Sequence, residues 1–311
     1  MSSQILSKPL PYLALILAHL IWGANFVVAK ITLQEFPPSS LAFLRFALAS
    51  LFLVPFFLAQ TKIVKIDKKD LPKLIGIGIL IVTLNISFFF EGIKRTTAIN
   101  ASILTLIIPM LSVLLGWWFL KEKVYLINLL GVLLGLLGAA VTLGLMQIIT
   151  GGFSSEVFLG NILIILASIS WVAGAVLSRQ MLKKYPSMIV TAIAFLVGTV
   201  TLALPAAKEY FQNPAWVNQV TFLGFVGLFY MTILSSISAY FLFEWGLAKT
   251  SVAVADLFQY IEPALASILA VLILSEQISW QFVIGAILIA IGVYLGTLAK
   301  EIHHRHKTHR G

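Results

Sequence analysis

An arginine lies well inside an apolar segment of the chain, in the tripeptide Leu44-Arg45-Phe46. Burying an ionised side chain at the centre of a bilayer costs about 2.5 to 3.5 kcal/mol on insertion scales, so such residues usually serve a specific purpose. A guanidinium group holds a carboxylate or a phosphate through two parallel hydrogen bonds. Arg45 is therefore predicted to anchor an anionic group of a substrate. The alternative is a structural arginine that pairs with a carboxylate or with helix-end carbonyls inside the protein.

Polar and aromatic residues share one face of the first apolar segment. His19, Trp22 and Asn25 follow one another at intervals of three residues, which places them on one side of a helix. Trp171 occupies the position that matches Trp22 in the second half of the chain. The two indoles are predicted to form flat walls for an organic substrate or a cation, with packing at helix crossings as the alternative. His19 is a candidate for carrying a coupling proton or, as the alternative, bonds only a neighbour.

A second polar group lies near the start of the ninth apolar segment, where Asp256, Gln259, Tyr260 and Glu262 follow within seven residues. Gln259 and Tyr260 are predicted to contact the substrate. The two acids, Asp256 and Glu262, are predicted either to couple protons or to pair with Arg45, because an uncompensated acid inside a bilayer is costly. A fixed internal counter-ion is the alternative for each of them.

Two prolines, Pro109 and Pro263, interrupt the fourth and ninth segments. Each proline removes its own amide and frees a carbonyl one turn earlier. Such broken backbone is tolerated at membrane depth only where it meets protein or a wet cavity. The prolines are therefore predicted to kink two helices that flank the same cavity.

Acids at the ends of apolar segments are candidates for gates. Glu91 lies beside Lys94 and Arg95, and Glu244 lies near Lys249. Both are predicted as gate pairs, with an ordinary solvated charge at a helix end as the alternative.

The composition places these residues in a membrane. Of 311 residues, 60% are hydrophobic and 11% are charged, and the mean hydropathy is +1.01, far from the composition of soluble domains. The net charge of +9 does not indicate a nucleic acid partner, because the basic residues fall in short loops between apolar segments. The chain has no cysteine. No metal or cofactor is predicted. The basic, His-rich tail 301–311 is interpreted as contacting anionic lipid, with metal binding by its histidines as the alternative.

Ten apolar segments are each close to the ~20 residues that cross a bilayer core. They cover residues 11–33, 38–59, 72–93, 97–120, 125–146, 157–180, 187–205, 220–247, 250–274 and 280–299. Sixteen of the 21 Lys and Arg residues fall on the side that also holds both termini. By the positive-inside rule, both termini are cytoplasmic. The chain is predicted to be an all-α, multi-pass protein of the cytoplasmic (inner) membrane.

The two halves of the chain repeat each other. A shift of 154 residues matches, among others, Gly92 with Gly246, Pro109 with Pro263 and Glu122 with Glu276, and a shift of 149 residues matches Trp22 with Trp171. Five segments per half is an odd number, so the halves enter the membrane in opposite directions, as in many secondary transporters. The predicted units are a first five-helix repeat, a connector, a second, inverted five-helix repeat and a tail, at 1–149, 150–156, 157–300 and 301–311.

These features together resemble the EamA-type members of the drug/metabolite transporter superfamily. The resemblance covers essentially the whole chain and is carried by the segments Trp22-Gly23-Ala24-Asn25-Phe26 and Leu44-Arg45-Phe46 and by the twice-used pattern Gly-Ile/Leu-x-x-Thr…Ala…Pro…Glu. It implies export of small metabolites, with amino acids the commonest cargo of bacterial relatives. The superfamily also moves purines, nucleotide sugars, drugs and lipid-linked sugars. Its small multidrug members use a carboxylate in the first helix, where this chain has His19 and no acid.

The sequence thus predicts a secondary transporter and no enzyme, because it lacks the HExxH, GxSxG and P-loop patterns. The predicted partners are a small-molecule substrate and the lipid bilayer, with protons as one option for coupling. Export of amino acids by alternating access is the favoured function. A drug or aromatic-cation efflux pump and a flippase for lipid-linked substrates are alternatives in the same fold. Two GxxxG steps, at Gly131 and Gly292, suit close helix contact within one chain or between two, so monomer and homodimer stay open.

Overall fold

The computed structural model describes residues 9–108, 110–111, 126–142, 154–250, 258–292 and 295. Within these residues the chain is helical, with no strand. Six helices are long and apolar enough to cross a membrane. They are α1 (Pro9–Thr32), α2 (Pro38–Thr61), α3 (Leu71–Arg95), α6 (Ser155–Met181), α7 (Ser187–Gln212) and α8 (Phe222–Lys249).

Shorter apolar helices occupy the remaining predicted segments. They are α4 (Ala98–Ile107), α5 (Leu126–Thr142), α9 (Phe258–Leu274) and α10 (Trp280–Gly292). Parts of the fourth, fifth, ninth and tenth predicted spans, and the tail 301–311, lie outside the described residues. The structure therefore supports an all-helical membrane protein, while the ten-span count stays a prediction.

Helices from the two halves pack against each other in pairs. The most extensive contacts join α2 to α7, α3 to α6, and α1 to both α8 and α9. Small residues such as Ala29, Ala42 and Ala266 are fully buried along these helices, which lets their backbones approach closely. Large apolar side chains such as Leu204 and Phe211 are mostly exposed, as expected for a surface that faces lipid.

Glycines bring α5 and α10 into backbone contact within one chain. A Cβ placed on Gly292 would lie 2.5 Å from the carbonyl oxygen of Gly131 and 2.6 Å from the amide nitrogen of Gly135. A Cβ on Gly138 would lie 2.7 Å from the carbonyl oxygen of Gly285. The GxxxG step at Gly131 thus serves this intrachain contact, whereas the second glycine of the other step, Gly296, lies outside the described residues.

Replacing Gly292 with alanine is expected to destabilise the protein by about 1 to 3 kcal/mol, because the clash is with backbone that cannot rotate away. Thermal unfolding in detergent measures the change. Gly76→Ala is the matched control, since a Cβ there meets only the Leu177 side chain at 3.7 Å. Equal melting temperatures for the two variants would contradict the close α5–α10 contact.

Two basic residues at matching positions in the two halves make equivalent contacts, each with backbone carbonyls at the end of another helix. The Lys30 ammonium on α1 donates to the carbonyls of Ile93 and Thr96 at the end of α3. The Arg179 guanidinium on α6 donates to the carbonyl of Thr250, just after α8. Positions 30 and 179 match at the shift of 149 residues, and positions 96 and 250 match at the shift of 154.

The backbone irregularities are also duplicated. Both α3 and α8 widen into π-helix, at Gly78–Leu84 and Tyr230–Ser238. Both the fourth and the ninth segments tighten into a 3-10 turn, at Thr105–Ile107 and Phe258–Tyr260. Such irregular turns in helices are frequent at functional sites, and the second π-helical stretch lies beside the cavity described below.

An ion pair joins the halves at the predicted cytoplasmic end. Lys184 Nζ lies 3.0 Å from Asp70 Oδ2, and the Tyr185 hydroxyl donates to the same oxygen at 2.8 Å. Asp70 immediately precedes α3, and Lys184 and Tyr185 lie between α6 and α7. The hydrogen bonds from Tyr185 and Lys184 hold the pKa of Asp70 below its ordinary value of 3.8.

A lowered pKa in the folded state means that ionised Asp70 stabilises the fold above its unfolded pKa, and that this contribution is lost as pH falls through the folded value. Asp70→Asn is therefore expected to lower the melting temperature at neutral pH, and the difference from wild type should close as pH falls below about 4. Asp67→Asn, three residues earlier, is the control. A difference between Asp70→Asn and wild type that is the same at all pH values would contradict this assignment.

Candidate functional site

A cavity lies between the two halves, beside the middle of α1, α6 and α8. The cavity and its opening together hold about 620 Å³ of space not occupied by protein atoms, a volume that includes open solvent. Both halves contribute side chains to its lining. The lining residues are His19, Trp22, Asn25, Phe26, Arg45, Asn85, Ile86, Phe89, Thr105, Ile108, Ala167, Ser168, Trp171, Ser235, Tyr240, Gln259 and Glu262.

Arg45 reaches this cavity from α2 and is only 1% exposed. Its Nε donates to Ser236 Oγ at 2.5 Å, and its Nη2 donates to Ser235 Oγ at 3.1 Å. The third nitrogen, Nη1, is buried and has no hydrogen-bond partner among the described residues. Two neutral hydroxyls thus orient the guanidinium, and no acid among the residues that the structure describes forms an ion pair with it. A ligand with a negative group would balance the charge of Arg45.

The other half of the chain shows that this fold does not need the arginine. The positions that match Arg45, Ser235 and Ser236 are Ala194, Ile81 and Val82, and all three are buried and apolar. At these three positions the equivalent contact, between α7 and α3, is therefore made by apolar side chains. Apolar residues therefore fill the packing role at these positions in the second half.

His19 and Glu262 form a buried pair on the cavity wall. His19 Nδ1 lies 2.6 Å from Glu262 Oε1, and both side chains are nearly inaccessible. Gly23 permits the contact between α1 and α9, because a Cβ there would lie 3.1 Å from the Glu262 Cα. His19 Nε2 is buried and finds no partner within the described parts of the chain. Glu262 therefore pairs with His19 in this structure, and no bond to Arg45 is seen.

Aromatic rings close one side of the cavity. The rings of Trp22 and Trp171 lie 5.3 Å apart at 84°, and Tyr240 lies 5.4 Å and 5.8 Å from them. The Trp22 indole donates to the carbonyl of Ser235 at 3.0 Å. Edge-to-face clusters of this kind are rigid. The two matched tryptophans therefore pack at a helix crossing and also line the cavity, so the two interpretations of these residues are compatible.

Some of the remaining predicted residues line the cavity, and others do not or lie outside the described residues. Asn25 lines the cavity, and its buried Oδ1 has no hydrogen-bond partner among the residues that the structure covers. Gln259 also lines the cavity, while its half-buried neighbour Tyr260 is not part of the lining. Asp256 and Pro109 lie outside the described residues. Pro263 sits in the first α-helical turn after the 3-10 turn of α9, where its missing amide costs little.

The candidate gate acids lie away from the cavity. Glu91 pairs with Arg95 one turn later on α3, and Glu156 approaches the same guanidinium at 3.5 Å. These side chains are about a third exposed or more, and such pairs contribute about 0 to 1 kcal/mol. Glu244 bonds Ser178 on α6. The predicted pairing with Lys249 is not seen.

Several cavity residues were not predicted. Ser235 lies in the π-helical part of α8 and lines the cavity, and its neighbour Ser236 bonds Arg45. Tyr240 follows this stretch, and Asn85 and Phe89 come from α3 just after its own π-helical stretch. The sequence carries a signal for the first two, since Ser235-Ser236 is a polar step inside an otherwise apolar segment. The widened helix that turns them toward Arg45 has no comparable sequence signal.

Comparison with known sequences shows which protein family the chain belongs to. The sequence profile of the EamA-like transporter family matches residues 9–144 and, a second time, residues 158–298. The chain belongs to the EamA-like transporter family. This EamA-like protein is therefore a multi-pass membrane transporter, in agreement with the resemblance seen in the sequence.

Relatives of this EamA-like protein span nearly its whole length. A protein of Archaeoglobus fulgidus named "Uncharacterized transporter" is 33% identical over 292 residues, covering 93% of this chain and 98% of the relative. Two proteins named "Probable amino-acid metabolite efflux pump" are more distant. The one from Salmonella typhimurium is 26% identical, covering 94% of this chain and 95% of the relative, and the one from Escherichia coli is 25% identical, covering 90% and 92%.

A solved crystal structure resembles this EamA-like fold. It superposes with a TM-score of 0.65 at 22% sequence identity, covering 93% of this chain and 96% of that chain. Similarity at this level supports the fold alone.

Proposed function

We propose that this protein is a secondary transporter that exports small organic metabolites, foremost amino acids, from the cytoplasm by alternating access. The observation that carries the proposal is Arg45, a buried residue of the cavity lining whose Nη1 has no hydrogen-bond partner among the described residues. Among the described residues, the guanidinium donates hydrogen bonds to two serine hydroxyls and forms no ion pair. A substrate carboxylate would supply the missing negative charge and accept the free hydrogen bond.

The rest of the cavity supports an amino acid as the cargo. Glu262 and Asn25 place oxygen atoms in the same lining as Arg45, and oxygen acceptors suit an ammonium group. Trp22 and Trp171 provide apolar walls for a side chain. One cavity thus offers complementary groups for a carboxylate, an ammonium and an apolar body. The names of the relatives from Salmonella typhimurium and Escherichia coli agree with this assignment.

The transport cycle would use the two halves as rocking units, one at 1–149 and one at 157–300, joined by the connector 150–156. Two separate matches to one family profile support a repeat. The duplicated contacts of Lys30 and Arg179, and the duplicated π-helical stretches, support equivalent folds in the two units. Ten spans with both termini in the cytoplasm would make the repeat inverted, which is the arrangement that alternating access exploits.

The His19 and Glu262 pair is the proposed place where cargo and protons meet. An ammonium group that approaches Glu262 competes with the imidazole for the same carboxylate. An imidazole can carry a proton near physiological pH, and His19 is the proposed carrier of a coupling proton. Entry of an amino acid would then be linked to proton release, and Asp256 is a further candidate for this role.

Efflux from proteoliposomes tests the proposed function. Vesicles that contain the purified protein are loaded with amino acids, nucleobases, sugar phosphates and aromatic amines, and mass spectrometry follows which solutes leave. Selective loss of amino acids, absent from protein-free vesicles, is the expected result. Loss of aromatic amines alone would replace this proposal with cation efflux. Loss of no soluble solute would favour a flippase for lipid-linked substrates.

A further inference from the structure

A buried acid that the proposed cycle does not use lies on α8, away from the cavity lining. Glu244 is 3% exposed. Both of its carboxyl oxygens lie 2.8 Å from one hydroxyl, Ser178 Oγ on α6. A serine hydroxyl has a single proton and can fully donate to only one of the two oxygens. The second contact becomes a hydrogen bond when Glu244 carries a proton of its own and donates it to Ser178 Oγ.

The described surroundings offer no charge that would stabilise an ionised Glu244. No lysine, arginine or histidine among the described residues forms an ion pair with it. An ionised carboxylate with one donor would be costly at this depth. The neutral acid instead closes a ring of two hydrogen bonds with Ser178, which satisfies both groups.

Titratable groups on the packed helices are few, and most have partners of their own. On α8 itself, Tyr240 lies one turn before Glu244, at the cavity wall. His19 on α1 bonds Glu262, and Arg45 on α2 bonds the two serines. Arg179 on α6, next to Ser178, donates to the Thr250 carbonyl. The part of α7 near Glu244 carries no titratable side chain.

The first half of the chain shows what this position needs for packing. The residues that match Glu244 and Ser178 are Phe90 and Ala29, and both are fully buried. An apolar pair therefore fills the matching positions in the other half. A buried acid at a position that an apolar side chain fills in the other half is a candidate for proton binding.

We propose that Glu244 and Ser178 form a proton-binding site, separate from the substrate cavity, that releases and regains one proton during the transport cycle. The inference rests on the proposed transport function. Both residues lie in the last two turns of their helices, toward the end of the bundle predicted to be cytoplasmic. The protonated ring links α6 to α8. When these helix ends separate, water reaches Glu244 and the acid dissociates to a carboxylate and a proton, which leaves to the water.

Infrared spectroscopy of the purified protein tests this site without any transport measurement. Near neutral pH, wild type is expected to show the carbonyl stretch of a hydrogen-bonded carboxylic acid, and Glu244→Gln is expected to lose it. Ser178→Ala should shift the same band to higher frequency, because its hydrogen bond is gone. The Glu262→Gln variant shows how much of this band comes from Glu262, the other buried acid on the described helices.

Glu276→Gln is the matched control. Each oxygen of its side chain accepts a hydrogen bond from a backbone amide, from Ala98 at 2.8 Å and from Ile99 at 3.0 Å, so this substitution is expected to leave the acid band unchanged. A wild-type spectrum that matches Glu244→Gln in this region would overturn the proposed proton site.

The pH profile of efflux gives the functional readout. If one proton is exchanged, the wild-type rate should change by up to about tenfold per pH unit. In Glu244→Gln the amide keeps both bonds to Ser178 but cannot dissociate, so the profile should lose this slope. The double variant Glu244→Phe/Ser178→Ala, which copies the pair in the first half, should lose it as well. An unchanged slope in both variants would overturn the role in transport.

The two readouts separate the two proposals. An acid band assigned to Glu244 in a protein that releases no amino acid would sustain the proton site and contradict the proposed cargo. Efflux of amino acids by a protein that lacks the band would support the proposed cargo and contradict the proton site.

Discussion

Replacing Arg45 with alanine is expected to weaken the binding of a carboxylate-bearing substrate by about 10- to 100-fold, the loss expected for hydrogen bonds to a charged group. Efflux of amino acids at low substrate concentration should fall by the same factor. The reason is geometric, since Ser235 and Ser236 already orient the guanidinium of this cavity-lining residue, and its Nη1 has no hydrogen-bond partner among the described residues. Arg45→Lys is expected to bind the substrate more tightly than Arg45→Ala and less tightly than wild type. An ammonium keeps the positive charge but cannot donate two parallel hydrogen bonds.

A matched control for Arg45 is available on α1. Lys30 is also a partly buried cation of the first half, but it bonds the carbonyls of Ile93 and Thr96 and does not line the cavity. Lys30→Met should therefore leave substrate affinity unchanged, even if it lowers stability. Arg45→Ala that folds and binds amino acids as tightly as wild type would show that Arg45 is structural.

Replacing Glu262 alone with leucine is expected to lower the free energy of unfolding by about 3 to 5 kcal/mol, the usual loss when one member of a buried charged pair is removed. The double variant His19→Leu/Glu262→Leu should recover most of that loss, because an apolar pair can replace a buried ion pair at little net cost. Unfolding of wild type, of each single variant (Glu262→Leu and His19→Leu) and of the double variant in detergent gives the coupling energy between the two side chains. Additive losses would mean that the 2.6 Å contact carries little interaction energy.

The sequence predicted the membrane class and the family well, because both depend on composition and on spacing. Apolar runs of the length that crosses a bilayer are visible without any structure, and six of them are single long helices here. The family match over two ranges agrees with the repeat that was read from residues such as Gly92 and Gly246. Helix periodicity also placed His19, Trp22 and Asn25 on one face, and all three line the cavity.

The partners of the candidate residues could not be predicted, because they depend on contacts between helices far apart in sequence. The two serines that Arg45 bonds lie 190 residues away or more along the chain, and no spacing in the sequence indicates them. Glu244 was expected near Lys249 on its own helix, yet its partner is on α6. The π-helical stretch that presents Ser235 and Ser236 is a backbone feature with no sequence period of its own.

The most direct test of the central claim compares an amino acid with its own carboxamide, using the amino acid released fastest from the proteoliposomes. Binding of both compounds is measured for wild type and for Arg45→Ala. The account predicts that wild type binds the acid about 10- to 100-fold more tightly than the amide and that Arg45→Ala loses this preference. Equal discrimination by the two proteins would contradict the account, because the carboxylate would then be recognised elsewhere.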